Sequence, residues 1–62
     1  MLEEYKDVMD VADLQQALGI GRDNAYALIR SNQIPSFRVG RRILMSKEAV
    51  IHFIDGWKEP NK

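Results

Sequence analysis

One stretch of the chain, Gly21 to Ile43 (GRDNAYALIRSNQIPSFRVGRRI), holds most of the side chains able to bind a ligand strongly. Arg22, Arg30, Arg38, Arg41 and Arg42, with Lys47 just beyond, stand against one acid, Asp23, so residues 21–47 carry a local charge of +5. The whole chain is neutral: residues 1–20 carry −4 and residues 48–62 carry −1. The sequence is a charge dipole with a basic centre. Arginine offers a planar fork of donors that fits phosphate oxygens and the O6/N7 edge of guanine, and asparagine fits the N6/N7 edge of adenine. Such a cluster around a helix and a hairpin is the electrostatic footprint of a phosphate-backbone binder. The distribution of charge, not the neutral total, supports this expectation.

The other reactive side chains make no catalytic set. There is no Cys, which excludes a disulfide framework and a thiolate zinc site. His52 is the only His, and it falls opposite Ala49, Phe53 and Ile54 on its helix, toward solvent. No Ser/His/Asp arrangement, metal-ligand spacing or Gly-rich phosphate loop occurs, so the expectation is a protein that is not an enzyme and uses neither metal nor cofactor. Asp10 with Asp13 reads as a capping pattern rather than an acid/base pair. No apolar run reaches the length of a membrane span. The acidic start, LEEYKD, lacks the basic and apolar regions of a signal peptide. A cytoplasmic protein without membrane contact is expected. A 62-residue chain that is 45% hydrophobic is too apolar for disorder and too short for two domains. It reads as one domain over residues 1–62, with an ordered core at about residues 8–57 and flexible ends.

The elements that must position the arginines follow from local pattern. Val8 and Met9 read as an extended lead-in. Asp10 is a good N-cap, and Val11, Leu14, Ala17 and Leu18 share one face of a helix over Val11–Leu18, which Gly19 stops. Only Gly19 to Gly21 separates it from a second helix, Arg22 to Ser31. There Ala25, Leu28 and Ile29 point inward, while Asp23, Tyr26, Ala27 and Arg30 point outward. Pro35 forbids its continuation. Two short helices joined by such a turn form a helix-turn-helix. Phe37, Val39, Ile43 and Met45 alternate with polar neighbours across Ser36–Val39 and Arg41–Met45, a hairpin that turns at Gly40. Ser46 caps a third helix with Ala49, Val50, Phe53 and Ile54 buried, ending at Asp55–Gly56. Trp57 is expected to fold over the core edge, with the final EPNK as a tail. Residues 1–6 are expected to be loose, with Leu2 and Tyr5 available for packing. The expected core is Leu14, Leu18, Ala25, Leu28, Ile29, Phe53 and Ile54.

The second helix is the candidate recognition helix, with Arg22, Asp23, Asn24, Tyr26, Ala27 and Arg30 as its contact residues. The alternative is a solvated face with an Asp–Arg pair. The hairpin is the candidate wing, with Arg38, Gly40, Arg41 and Arg42. Arginines crowded at a turn repel one another and have few carboxylate neighbours, which phosphates or a minor groove would relieve. The alternative is a solubilising guard on an edge strand.

These pieces in this order resemble the excisionase-type, MerR-like winged helix-turn-helix DNA-binding domains. Members run from a helix through Leu-Gly-Val/Ile, a recognition helix, an Ile/Leu-Pro, a Val-Gly-Arg-Arg wing and a last helix. Here the counterparts are Ala17-Leu18-Gly19-Ile20, Asn24 to Arg30, Gln33-Ile34-Pro35, Arg38 to Arg42 and Ser46 to Ile54, together covering about residues 8–55. Gly21 stands where Ser or Thr usually caps the recognition helix, and Ala27 where a basic residue is common. The resemblance implies a mainly α fold of three short helices with a two-stranded antiparallel wing. It implies a major-groove helix bearing Asp23, Ala27 and Arg30 and a minor-groove wing at Gly40–Arg42. The role it implies is sequence-selective binding of double-stranded DNA by an excisionase of a mobile element, which bends DNA and assists an integrase or recombinase. The alternatives are a small transcriptional regulator with the same fold, and a protein-interaction module that uses the acidic N-terminus. With no heptad seam, the chain is expected to be a monomer that assembles cooperatively on DNA.

Overall fold

The protein, seen in a computed structural model, is described over residues 2–58, with side chains described through Gly56. Its elements run β1 (Val8–Asp10), α1 (Val11–Leu18), α2 (Arg22–Arg30), β2 (Phe37–Val39), β3 (Arg42–Ser46) and α3 (Lys47–Lys58).

Each helix begins and ends for an identifiable reason. Asp10 caps α1 through a reciprocal capping box: the Asp13 amide donates to Asp10 Oδ1 at 2.9 Å, and the Asp10 amide donates to Asp13 Oδ2 at 3.2 Å. Gly19 takes the left-handed conformation, with φ 65°, and closes α1. Gly21 leads α2 with extended backbone and no side-chain cap. At the other end Asn32 turns left-handed, with φ 62°, and the Gln33 amide reaches back to the Leu28 carbonyl at 3.1 Å. Ser46 Oγ accepts the Ala49 amide at 3.0 Å and so caps α3. The third helix passes through the expected stop at Gly56. Only Gly19 and Gly40 among the glycines have positive φ, and a glycine ends a helix only when it leaves the helical region. The expectation for the Trp57 side chain and for the EPNK tail falls outside what is described.

The strands form one antiparallel sheet in the order β1-β3-β2. The expected two-stranded wing is present as β2 and β3, turning over Gly40 and Arg41, with Gly40 at φ 61° as a two-residue hairpin requires. The lead-in at Val8 and Met9 is more than extended chain. It is a third strand that pairs Val8, Met9 and Asp10 with Ser46, Met45 and Leu44.

Among the described residues six side chains are fully buried: Met9, Leu14, Ala25, Ile34, Met45 and Val50. Of the expected core, Leu14 and Ala25 lie in this centre. Leu18, Leu28, Ile29, Phe53 and Ile54 are half-buried and pack around it. The centre therefore lies closer to the sheet than helix periodicity alone indicates, because Met9 and Met45, paired across β1 and β3, fill it from below. Leu2 and Tyr5 pack on the same core. The Tyr5 amide donates to the Leu2 carbonyl at 3.1 Å, and the Lys47 amide donates to the Asp7 carbonyl at 2.7 Å.

Candidate nucleic-acid interface

Burial of Ala25, with Leu28 and Ile29 half-buried beside it, sets the rotation of α2. Arg22, Asp23, Asn24, Ala27 and Arg30 are then exposed, and Tyr26 is half-buried. Arg22 lies over the Tyr26 ring at 5.7 Å from its centroid, a cation–π contact that braces one flank of the helix. The Asp–Arg pair of a merely solvated helix does not form: among the described residues Asp23 and Arg30 have no ion pair. On the other flank, Asn24 and Ala27 border an open apolar groove of about 430 Å³ completed by Leu18, Ile20, Leu28, Phe53 and Ile54. These two residues thus lie toward α3, while Asp23 and Arg30 are exposed outside the groove. Sequence periodicity did not separate these two groups.

The register of the sheet divides the wing arginines between two faces. Paired residues share a face, and successive residues alternate. Ile43 and Met45 lie on the face that carries the buried Met9, so Arg38, opposite Ile43, is on the helix side. Arg42, Leu44 and Ser46 lie on the outer face with Val39, Phe37, Asp10 and Val8. The three large hydrophobic residues that are exposed among the described residues, Val8, Phe37 and Val39, are on that outer face.

The basic cluster is not uniformly available. The wing arginines were expected to have few carboxylate neighbours, and Arg42 has one: its Nη2 donates to Asp10 Oδ2 at 3.0 Å. Asp10 is far away in sequence and reaches Arg42 only because β1 lies beside β3, which is why sequence reasoning missed it. Lys47 Nζ donates to the Tyr5 carbonyl at 3.3 Å and lies 3.8 Å from Asp7 Oδ1. Arg30, Arg38 and Arg41 make no hydrogen bond or ion pair among the described residues. With Arg22, which meets only the Tyr26 ring, they are the cations of residues 21–47 that have no carboxylate partner among the described residues.

The Asp10 carboxyl is held below the ordinary aspartate value of 3.8, first by the Asp13 amide that donates to it and then by Arg42, against the opposing effect of partial burial. His52 is exposed on α3. Among the described residues no group of three His, Cys, Asp or Glu side chains can hold a metal ion, and no helix is long and apolar enough to cross a membrane.

No curated protein and no solved structure matches the chain. A family model described as a helix-turn-helix domain matches residues 8–58, from the first strand to the end of α3. The matched span holds the three helices, the tight turn between α1 and α2 and the hairpin wing. The chain is therefore a member of the helix-turn-helix domain family, which includes the excisionase-type domains.

Proposed function

We propose that this protein binds duplex DNA sequence-selectively and acts as an excisionase of a mobile element, without catalysis of its own. The observation that carries the reading is a set of exposed cations that have no ion-pair partner among the described residues, Arg30 on α2 and Arg38 and Arg41 on the wing. Arg30, with Asp23 beside it and Asn24 and Ala27 on the flank, would enter the major groove. Arg22 and Tyr26 would stiffen that helix at its start. The wing, turning at Gly40, would reach the backbone or the adjacent minor groove with Arg38 and Arg41. As the family resemblance implies, the bound protein would bend the duplex and so help an integrase assemble in the excision direction. The protein would work in the cytoplasm as a monomer, with neighbouring copies cooperating on DNA.

Gel shifts on duplexes from an enriched pool and on random duplex test DNA binding. Preference for the enriched sequences is expected, and equal retardation of both at every salt concentration would remove sequence selectivity. An integrase-dependent excision assay tests the role. Stimulation of excision is expected. Selective DNA binding without stimulation would assign the same chemistry to a transcriptional regulator.

A further inference from the structure

Asp10 sits where three elements meet. It is the last residue of β1, the N-cap of α1 and the partner of Arg42, the β3 residue next to the wing's turn. Its two carboxylate oxygens are divided between these tasks: Oδ1 accepts the Asp13 amide at 2.9 Å and Oδ2 accepts Arg42 Nη2–H at 3.0 Å. An ordinary surface carboxylate must be ordered before it can pair with an arginine, and that ordering cancels most of the gain. Here the cap has already ordered it. The pair lines a shallow recess with Glu4, Tyr5, Lys6 and Asp13, in which Asp10 is 32% exposed and Arg42 67% exposed. The register gives the direction, because Arg42 and Asp10 share the outer face while Arg38 lies on the face toward the helices.

We propose that Asp10 reserves Arg42 as a brace between the wing and the helix-turn-helix, so that the wing meets DNA with Arg38 and Arg41 and not with Arg42. The proposal rests on the DNA-binding reading above and refines it. Its consequence is a charge count. A cation that neutralises a phosphate displaces a counterion from DNA, and its removal flattens the dependence of affinity on salt. A cation already neutralised by an internal carboxylate displaces none. Arg42 should therefore be silent in the salt dependence, although it sits in the middle of the RVGRR sequence. Asp10, an acid remote from the wing in sequence, should set how many charges the wing offers.

The test measures log affinity against log salt on one random-sequence duplex for wild type, Arg41→Ala, Arg42→Ala, Asp10→Asn and the double variant Asp10→Asn with Arg42→Ala. Asn caps a helix about as well as Asp, so Asp10→Asn removes the charge and keeps α1. Arg41→Ala is expected to flatten the slope by about one unit and Arg42→Ala to leave it unchanged. Asp10→Asn is expected to steepen it by about one unit, a gain that the added Arg42→Ala removes. Equal flattening by Arg42→Ala and Arg41→Ala in the wild-type background would overturn the proposal, since Arg42 would then leave Asp10 for phosphate. An Asp10→Asn slope equal to that of wild type would also overturn it. If Asp10→Asn fails to fold, the comparison of Arg41→Ala with Arg42→Ala decides alone. Wild-type protein that binds no duplex would overturn the DNA-binding reading itself, an outcome distinct from all of these.

Discussion

Replacing Leu14 by Ala should do far more damage than the same change at Leu28, although both residues lie on inward helix faces. Leu14 is fully buried among Met9, Ala25, Ile34, Met45 and Val50, so truncation leaves a sealed apolar hole. Such a change loses the transfer energy of the removed carbons and adds a cavity cost, about 3–5 kcal/mol together. A chain of 62 residues has a total stability of roughly 3–9 kcal/mol at ordinary values per residue. Leu14→Ala should therefore remove about a third of that stability at the least, and all of it toward the lower end of the range. Leu28 is half-buried and lines the open groove beside Phe53 and Ile54. Truncation there widens a space already open to water, so the cavity cost falls away and only part of the transfer energy remains, about 1–2 kcal/mol. For a domain of this size that lowers the melting temperature by about 5–15 °C. Circular dichroism melts of both variants measure the difference. Leu14→Met, which keeps the volume, serves as control and should cost less than about 1.5 kcal/mol. A Leu28→Ala melt at or below that of Leu14→Ala would refute the placement of the core centre next to the sheet.

Further outcomes are expected elsewhere. Arg30→Ala should cost about 1–3 kcal/mol of specific DNA affinity and relax preference at one base position, read by titration against a panel of single-base variants. Gly21→Ser should stabilise the start of α2 by a few tenths of a kcal/mol, because the backbone there is extended and a Cβ would meet nothing within 4 Å; a melt no higher than wild type would count against it. The Asp10 carboxyl lies below its ordinary 3.8, so its contribution is fully present above that value and is lost as pH falls through the lower folded value. Melting temperature should fall with acid below about pH 4, and Asp10→Asn should flatten that part of the curve. Light scattering at micromolar concentration should find a monomer in free solution, and a stable dimer would point to a two-fold symmetric operator instead.

The helices were legible in the sequence because their signals are local. Asp10, Gly19 and Ser46 cap or stop a helix within a turn of themselves, and apolar spacing gave α1 its observed bounds, Val11–Leu18. The hairpin was legible for the same reason, since Gly40 supplies the one backbone conformation that such a turn requires. What escaped was whatever depends on chain segments meeting from afar. Val8, Met9 and Asp10 do not alternate clearly enough to declare a strand, and only β3 makes them one. Burial of Met9, Met45 and Ile34 ahead of Leu18 or Phe53 follows from that pairing. So does the contact between Asp10 and Arg42, which turns a row of apparently equivalent arginines into two kinds.

The position of β3 between its two neighbours also has a kinetic meaning. The contacts between α1 and α2, and those between β2 and β3, close short loops and can form early. The pairing of β1 with β3 spans both helices and the hairpin, so it carries the largest loop-closure entropy in the domain. It should be the late, locking step of folding. The amide protons of β3 should then exchange with solvent only when the whole domain opens, whereas those at the Gly40–Arg41 tip exchange from the native state. A truncation that removed residues 8–10 would take away the lock rather than a fringe, since it would strip β3 of one neighbour, the core of Met9 and α1 of its Asp10 cap.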